Sequence, residues 1–128
     1  IARAGYANAR LLGYRKDARD IIMQSDILAL SSDTEQMPIA VLEAMDAGLP
    51  VVSTAVGDVG RMVAPVNAPF VTSSEDAFSS ALSTLIGDKP LRRRIGEANR
   101  VKGRADYSLI GMVDAWRSLL QRQISPAG

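Results

Sequence analysis

The sequence predicts an α/β fold in which a parallel sheet carries helices on both faces. Short apolar runs alternate along the chain with segments of helical periodicity, which is the pattern of parallel strands joined by helices. The predicted strands at residues 26–31 and 50–54 each contain a continuous apolar run, residues 27–30 and 50–52, as expected for strands buried on both faces. The 128 residues are enough for one domain of ordinary size.

The first half of the chain is predicted to alternate strand and helix. Residues 9–14 end in a Gly turn and are predicted to form a strand, residues 16–24 have helical spacing, and residues 26–31 form the next strand. A polar loop follows, and Pro38 suits the first position of a helix that ends at Gly48. The apolar face of this helix is predicted to contain Ile39, Val41, Leu42 and Met45.

The second half is predicted to complete a sheet of four strands and to add three long helices. Residues 50–54 and 70–72 are the last two strands, with a short helical turn at residues 57–63 between them. The helices are expected from Ser73 or Ser74 to Ile86, from Leu91 to Arg104, and from Ser108 onward. In the last helix, core packing is expected for Met112, Trp116, Leu119 and Leu120.

Composition excludes several kinds of chemistry. The chain has no Cys and no His, so disulfides, thiol nucleophiles, Ser-His-Asp triads and the usual zinc sites are excluded. Its net charge of +1 gives no bulk attraction to nucleic acid or to an acidic membrane. The sequence requires no metal and indicates no covalently bound cofactor. Any reaction must use carboxylates, Lys or Arg, hydroxyls and backbone dipoles.

The loop that precedes Pro38 is the most informative candidate site. Ligands of open parallel sheets bind at the carboxyl ends of the strands, where loops lead into helices. The N–H groups of Met37, Ile39 and Ala40 are expected to lack intrahelical acceptors. Together with the positive end of the helix dipole, they form an anion site.

Two carboxylates accompany this anion site. Glu35 comes just before it, and Glu43 lies five residues after Pro38, or roughly 7.5 Å along the helix axis. Carboxylate oxygens accept strong hydrogen bonds from vicinal hydroxyls. A ligand with a central phosphate and hydroxyls at both ends, such as a sugar nucleotide, would satisfy all three groups. Two solvated surface glutamates would show the same spacing.

Residues 35–54, EQMPIAVLEAMDAGLPVVST, closely resemble the donor-site signature of retaining glycosyltransferases of the GT-B fold, which have two Rossmann-like domains. The family pattern is E-x7-E followed by A-M-x-x-G-x-P-V-V, and every element is present. Residues 12–15, 25–26, 55–57 and the last helix are also similar to that family. The chain therefore resembles the group 1, family 4 type, from about residue 10 onward.

The resemblance implies roles for particular residues. Glu35 is implied to be the catalytic residue, contacting donor-sugar hydroxyls and stabilising charge near the reacting carbon. The donor sugar and diphosphate are implied to bind at Glu35, Gln36, Met37, Pro38 and Ile39. The nucleotide is implied to bind at Tyr14, Arg15, Leu42 and Glu43, with Glu43 on the ribose hydroxyls.

The resemblance also implies how the chain is organised. Residues 1–9 are interpreted as a cut end or linker. Residues 10–128 are interpreted as part of a nucleotide-sugar-binding Rossmann-like domain, the second half of a GT-B C-terminal domain, with residues 108–124 as its closing helix. The N-terminal acceptor-binding domain is expected to be missing, so the chain alone is expected to be inactive.

For the parent enzyme, the implied activity is transfer of a hexosyl group from a nucleotide diphosphate sugar to an acceptor, with retention of configuration. A cytoplasmic location is expected, because the sequence has no Cys and no signal peptide. Nothing in the sequence indicates membrane association or nucleic-acid binding. An uncovered strand edge leaves self-association open.

Three departures from the family pattern bear on the site. Gln36 stands where the family usually has Gly, and it is expected to narrow the approach to the sugar or to need an uncommon backbone angle. Gly57-Asp58 stands where Gly-Gly is frequent. The basic residues with which the family neutralises the diphosphate on earlier strand-loop units are not in this chain.

Two other classes of protein stay open. One is a non-catalytic interaction module on a degenerate Rossmann-like fold, with Gln36 as the sign of decay, although both glutamates are intact. The other is a signalling receiver domain, which Asp33 and Thr54 superficially suit. The acidic pair after the first strand and the Lys after the fifth strand that such a domain needs are not evident in this sequence.

A solvated helix surface is expected for the basic cluster Arg92, Arg93, Arg94, Arg100, Lys102 and Arg104, because acidic residues interleave with it.

Overall fold

The computed structural model describes residues 7–124, with side chains described over residues 7–122. This part of the chain contains three short parallel strands, six α-helices and one 3-10 helix. In chain order they are α1 (Ala18–Met23), β1 (Leu28–Leu30), α2 (Ile39–Ala47), β2 (Val51–Thr54), α3 (Val59–Met62), the 3-10 helix (Pro65–Phe70), β3 (Val71–Thr72), α4 (Glu75–Gly87), α5 (Lys89–Asp106) and α6 (Leu109–Ile124).

The sheet has the order β1-β2-β3, and both strand pairs are parallel. In the central strand, Val51 belongs to a buried cluster with α2 and α3, whereas Val52 belongs to a second cluster with α4 and α5. Successive side chains of a strand point to opposite faces, so both faces of β2 are covered by helices. The predicted α/β architecture, a Rossmann-like parallel sheet with helices on both faces, is therefore confirmed.

The predicted strand at residues 9–14 is wrong, and the described sheet has three strands rather than four. Leu11 and Leu12 are exposed and face no covering layer. An extended apolar segment becomes a strand only where a neighbour accepts its hydrogen bonds and a layer covers its side chains. As a result β1 is an edge strand, and Ala29 is exposed although burial on both faces was expected.

Helix α2 ends where its sequence predicts, at Gly48, whose φ of 75° and ψ of 36° are left-handed. Two expectations for this helix are wrong. Pro38 is the N-cap rather than the first helical residue, and Ile39 is 71% exposed rather than part of the apolar face. Ile39 is the first residue of α2, and no neighbouring element covers its side chain there. The buried face consists of Val41, Ala44 and Met45.

Helix α6 differs most from expectation. The hydrophobic residues predicted to enter the core are exposed, and Trp116 is 58% exposed. All described side chains of α6 up to residue 122 are exposed. An amphipathic pattern shows that a helix has an apolar face, but it does not specify the surface that covers that face. The prediction of core packing is therefore wrong for Met112, Trp116, Leu119 and Leu120.

The basic cluster of α5 lies on a solvated helix surface, and acidic neighbours pair with parts of it. Arg100 forms an ion pair with Glu97, and Lys102 forms one with Asp106, which raises the pKa of Lys102. Arg92 differs because its Nη1 donates to the Leu85 carbonyl at 2.6 Å, near the end of α4.

Within residues 7–124, no helix is both long and apolar enough to cross a membrane.

A buried pair of asparagines joins the sheet to α5. The Asn67 side chain accepts from the Val51 N–H at 2.9 Å and donates to the Val51 carbonyl at 2.8 Å, as a neighbouring strand would. Asn99 donates to the Leu49 carbonyl at 2.9 Å and to Asn67 Oδ1 at 2.8 Å. Its own Oδ1 accepts from the Ala64 N–H at 2.9 Å. Both asparagines are fully buried, so each of these bonds replaces a bond to water.

We expect Asn99→Ala to lower the free energy of unfolding by about 3 kcal/mol, because it leaves several buried polar groups without partners. Urea unfolding measures this change, and Asn8→Ala is the matched control because Asn8 is exposed. Equal unfolding midpoints for the two variants would contradict the assigned network.

Candidate functional site

The loop that carries Glu35 is held from two sides. Ser32 Oγ donates to Glu35 Oε1 at 2.8 Å, so one carboxylate oxygen is already bound within the loop. Thr54 Oγ1, at the end of β2, donates to the Ser32 carbonyl at 2.6 Å. The Asp58 N–H donates to the Gln36 carbonyl at 2.8 Å. The carboxyl end of β2 and the loop after it therefore set the position of Glu35.

Gly57 contacts the backbone of Glu35 and Gln36 directly. A Cβ at this position would lie 2.2 Å from the Gln36 carbonyl oxygen and 2.5 Å from the Glu35 carbonyl oxygen. The φ of Gly57 is 50°, in the region that glycine adopts most readily. Gly57 belongs to the stretch at residues 55–57 that resembles the family, but the sequence does not indicate this contact. The sequence feature that could have indicated the contact is a glycine shortly after a buried strand.

Gln36 does not need an uncommon backbone angle, so that alternative is wrong, and the narrowed approach to the sugar stays a prediction. Among the residues that the structure describes, every residue with a positive φ is a glycine. The Gln36 side chain is exposed, and its carbonyl accepts the hydrogen bond from Asp58.

The N-terminus of α2 has the geometry expected of an anion site. Pro38 is buried as the N-cap, and its carbonyl accepts from the Val41 N–H at 3.1 Å. The N–H groups of Met37, Ile39 and Ala40 donate to no acceptor among the described residues. Met37 and Ile39 are themselves exposed at this tip, so the N–H groups lie where a ligand can reach them.

Glu43 lies further along α2, on the wall of a cavity of about 440 Å³. We call this the Glu43 cavity; it is lined by Arg19, Leu42, Glu43, Asp46, Gly103, Arg104, Tyr107 and Ser108. Asp46 engages both guanidinium groups, at 3.1 Å from Arg19 and 3.7 Å from Arg104. Glu43 is half-buried as a residue, and in the described part of the chain its carboxylate has no hydrogen-bond or ion-pair partner.

Glu35 does not line the Glu43 cavity. Glu35 lies on the loop at the tip of α2, and only Glu43 and Leu42 of the predicted residues line the Glu43 cavity. A ligand that reaches both carboxylates must therefore pass over the tip of the helix, where the free N–H groups are.

Tyr14 and Arg15 do not line the Glu43 cavity. Tyr14 is 91% exposed. Arg15 is engaged by Asp17, with Nε 2.7 Å from Oδ1 and Nη2 2.5 Å from Oδ2. This guanidinium contact lowers the pKa of the Asp17 carboxyl and raises that of Arg15.

The groups around the tip of α2 are of two kinds, donors and acceptors. The structure brings together no group of three or more acidic side chains that could hold a metal ion within its described residues. The tip of α2 offers N–H donors for an anion, and the flanking carboxylates offer acceptors for hydroxyls.

The chain is similar to two characterised sugar-transferring proteins. It is 35% identical over 83 residues to the UDP-Gal:alpha-D-GlcNAc-diphosphoundecaprenol alpha-1,3-galactosyltransferase of Escherichia coli, covering 63% of this chain and 21% of that protein. It is 28% identical over 91 residues to the N-acetyl-alpha-D-glucosaminyl L-malate synthase of Bacillus anthracis, covering 70% of this chain and 24% of that protein. The matched region thus spans less than a quarter of each relative. No solved structure gives a significant match.

A family model described as glycosyl transferases group 1 matches residues 1–88, which include α1 to α4, the whole sheet and the loop with Glu35. The match thus includes both glutamates and the Gly57 contact that supports the loop. The chain belongs to the group 1 glycosyltransferases.

Proposed function

We propose that this chain is the donor-binding part of a glycosyltransferase that takes a nucleotide diphosphate sugar and transfers its hexosyl group with retention of configuration. The observation that carries the proposal is Glu43, a half-buried residue that lines a cavity beside α2 and whose carboxylate has no partner among the described residues. A carboxylate without a partner on the wall of a cavity is free to accept hydrogen bonds, and a ligand with vicinal hydroxyls supplies the donors.

The diphosphate is assigned to the N-terminus of α2. The N–H groups of Met37, Ile39 and Ala40 point away from the helix interior and carry the positive end of its dipole. The ribose then reaches back along the helix to Glu43 and Leu42, and the donor sugar extends the other way to Glu35. In this chain, the N–H groups and dipole of α2 are assigned the stabilisation of the diphosphate charge.

Glu35 is assigned the catalytic role at the donor sugar. Its Oε1 is held by Ser32, so the second oxygen remains for a sugar hydroxyl or for positive charge that develops at the reacting carbon. Catalysis of this kind depends on fixed position, which Thr54 and Gly57 provide through the loop backbone. Gln36, Met37, Pro38 and Ile39 supply the loop and helix tip between the sugar and the diphosphate.

Both relatives have names that describe transfer or attachment of a hexosyl group, and one of them uses a uridine nucleotide. A uridine diphosphate hexose is therefore the first donor to test. Their acceptors differ, one being a lipid-linked sugar and the other malate, so the acceptor does not follow from similarity. For the chain by itself we propose donor binding without transfer.

Ligand-detected NMR with UDP, GDP and ADP, each alone and as the diphosphate sugar, tests the proposal. One nucleotide is expected to bind, and Glu43→Gln is expected to weaken it about tenfold or more, because hydrogen bonds to a charged carboxylate are lost. Glu97→Gln is the control, since Glu97 is an exposed acid on α5 outside the Glu43 cavity.

Glu35→Gln should weaken binding of the diphosphate sugar and leave the affinity for the free nucleotide unchanged. If one nucleotide binds equally to the wild-type chain, Glu43→Gln and Glu35→Gln, the interaction-module hypothesis would be favoured instead.

A further inference from the structure

Three hydroxyl groups in succession connect the buried end of β2 with the Glu35 carboxylate. Ser53 Oγ donates to the Thr54 carbonyl at 2.7 Å. Thr54 Oγ1 donates to the Ser32 carbonyl at 2.6 Å, and Ser32 Oγ donates to Glu35 Oε1 at 2.8 Å. We call Ser53, Thr54 and Ser32 the hydroxyl bridge. Ser53 is fully buried, whereas Thr54 and Ser32 are half-buried, so the bridge leads from the interior to the site.

The inner end of the hydroxyl bridge is fixed by backbone hydrogen bonds. The Thr54 carbonyl accepts a second hydrogen bond, from the Val56 N–H at 2.9 Å. The Ala55 N–H donates to the Thr72 carbonyl at 2.8 Å, which ties the end of β2 to β3. The Thr54 hydroxyl therefore projects from a backbone that its neighbours hold in place, and its β-branched side chain has few rotamers.

The outer end of the bridge acts on one oxygen of Glu35. A serine hydroxyl has one proton to donate, and that of Ser32 is donated to Oε1. Within the described part of the chain, the Glu35 carboxylate has no other hydrogen-bond partner and no ion-pair partner. Its direction in the ligand-free chain therefore depends on Ser32, and without that hydroxyl the carboxylate is free to change rotamer.

We propose that Ser32 and Thr54 are positioning residues for the donor sugar. Ser32 sets the direction of the Glu35 carboxylate, and Thr54 sets the position of Ser32. A carboxylate that is already oriented accepts a hydrogen bond from a sugar hydroxyl without first losing side-chain entropy. This inference rests on the proposed function, because it takes the donor sugar to be at Glu35. The benefit is confined to the sugar, because the nucleotide is assigned to Glu43.

A second cavity beside the hydroxyl bridge leaves room for conservative variants. Its volume is about 540 Å³, it lies at the carboxyl ends of the strands, and both Ser32 and Thr54 line it. It shares no lining residue with the Glu43 cavity. The methyl group that Ser32→Thr adds can extend into this space, and Thr54→Ser only removes a methyl group. Both variants keep the hydroxyl of the bridge.

The first test uses the nucleotide that binds in the screen described above, alone and as its diphosphate sugar. Ser32→Ala is expected to weaken binding of the diphosphate sugar about tenfold, because the hydrogen bond that orients a charged group is lost. Its affinity for the free nucleotide should be unchanged, and Ser32→Thr should restore binding of the diphosphate sugar. Ser31→Ala is the matched control, since the exposed Ser31 has no hydroxyl partner in the described structure.

A double-mutant cycle tests whether Thr54 acts through Ser32. Thr54→Val keeps the shape of the side chain without its hydroxyl, and we expect it to weaken binding of the diphosphate sugar about fivefold. Thr54→Ser should bind as the wild type does. In the Ser32→Ala background, the effect of Thr54→Val should largely disappear, because the bridge is already broken. Fully additive losses would overturn the role of Thr54.

The Glu35 carboxyl carbon gives a readout in the ligand-free chain. Its ¹³C NMR shift is expected to change in Ser32→Ala, to return in Ser32→Thr and to stay constant in Ser31→Ala. A general loss of stability would instead lower the urea midpoint and weaken the free nucleotide and the diphosphate sugar equally.

The outcomes separate this inference from the proposed function. Equal affinity of the wild type and Ser32→Ala for the diphosphate sugar would overturn the inference and leave the donor function intact. A matching loss for the free nucleotide would also overturn it. If no nucleotide binds to the wild-type chain, the donor function itself fails, and the Glu35 carboxyl shift still decides whether Ser32 orients this side chain.

Discussion

The Gly96→Ala variant of α5 is expected to lose about 3 kcal/mol or more of unfolding free energy, because the added methyl group overlaps backbone atoms. A Cβ on Gly96 would lie 1.9 Å from the Gly48 carbonyl oxygen and 2.7 Å from its carbon. Neither atom belongs to a flexible side chain, so α5 and the end of α2 must separate. The separation would disturb the packing of both helices against their buried neighbours.

Urea unfolding monitored by circular dichroism measures the effect. Gly87→Ala is the matched control, since Gly87 also lies in a helix but a Cβ there meets nothing within 4 Å. That control should be neutral or slightly stabilising, because alanine favours helix over glycine. Similar unfolding midpoints for the two variants would contradict the close contact between α2 and α5.

The Gly57→Ala variant is expected to abolish the sugar-dependent part of donor binding and to lower stability by about 2 kcal/mol. Its Cβ would lie 2.2 Å from the Gln36 carbonyl oxygen, and φ of 50° adds strain for any residue with a side chain. The loop with Glu35 must move, while Glu43, which lies further along α2, stays in place.

The measurement compares affinities for the free nucleotide and its diphosphate sugar in the same variant. Binding of the nucleotide should persist, and the additional affinity from the sugar should be lost. Gly60→Ala is the control, because a Cβ on Gly60 meets nothing within 4 Å. Unchanged affinity for the diphosphate sugar in Gly57→Ala would show that the loop position does not matter to the donor.

Much of the fold follows from local signals in the sequence. The end of α2 at Gly48 and the start of α4 at Ser74, whose Oγ accepts from the Ala77 N–H, are set by residues within a few positions. Strand β2 follows from its apolar run, because a central strand is covered on both faces. These features depend on short-range hydrogen bonds and on burial that the pattern itself reports.

The wrong or missing predictions concern features that depend on residues far away in the sequence. Residues 9–14 have the composition of a strand but no neighbouring strand, and α6 has an apolar face but no covering layer within the described chain. The Asn67–Asn99 pair was not predicted either, because 32 residues separate its members in sequence. Asparagine in a sequence gives no sign of whether it will be buried.

The candidate site shows the same division. The tip of α2 follows from Pro38 and the helix after it, and Glu35 and Glu43 follow from the motif. The two separate cavities and the supports from Thr54 and Gly57 arise only when β2 lies beside the loop. Only the folded chain shows the contacts across such separate segments.

The side chain of Asn67 has a consequence for the colloidal behaviour of the chain. Its amide occupies both polar backbone groups of Val51 on the side away from β1, in the stretch of β2 that β3 does not reach. An incoming strand from another molecule therefore finds no free ladder at that point. On the opposite side, β1 offers only three residues as a template. Short or blocked edges are the means by which sheets avoid growing into fibrils. Here both edge strands, β1 and β3, are short, and the stretch of β2 that β3 does not reach is blocked by Asn67.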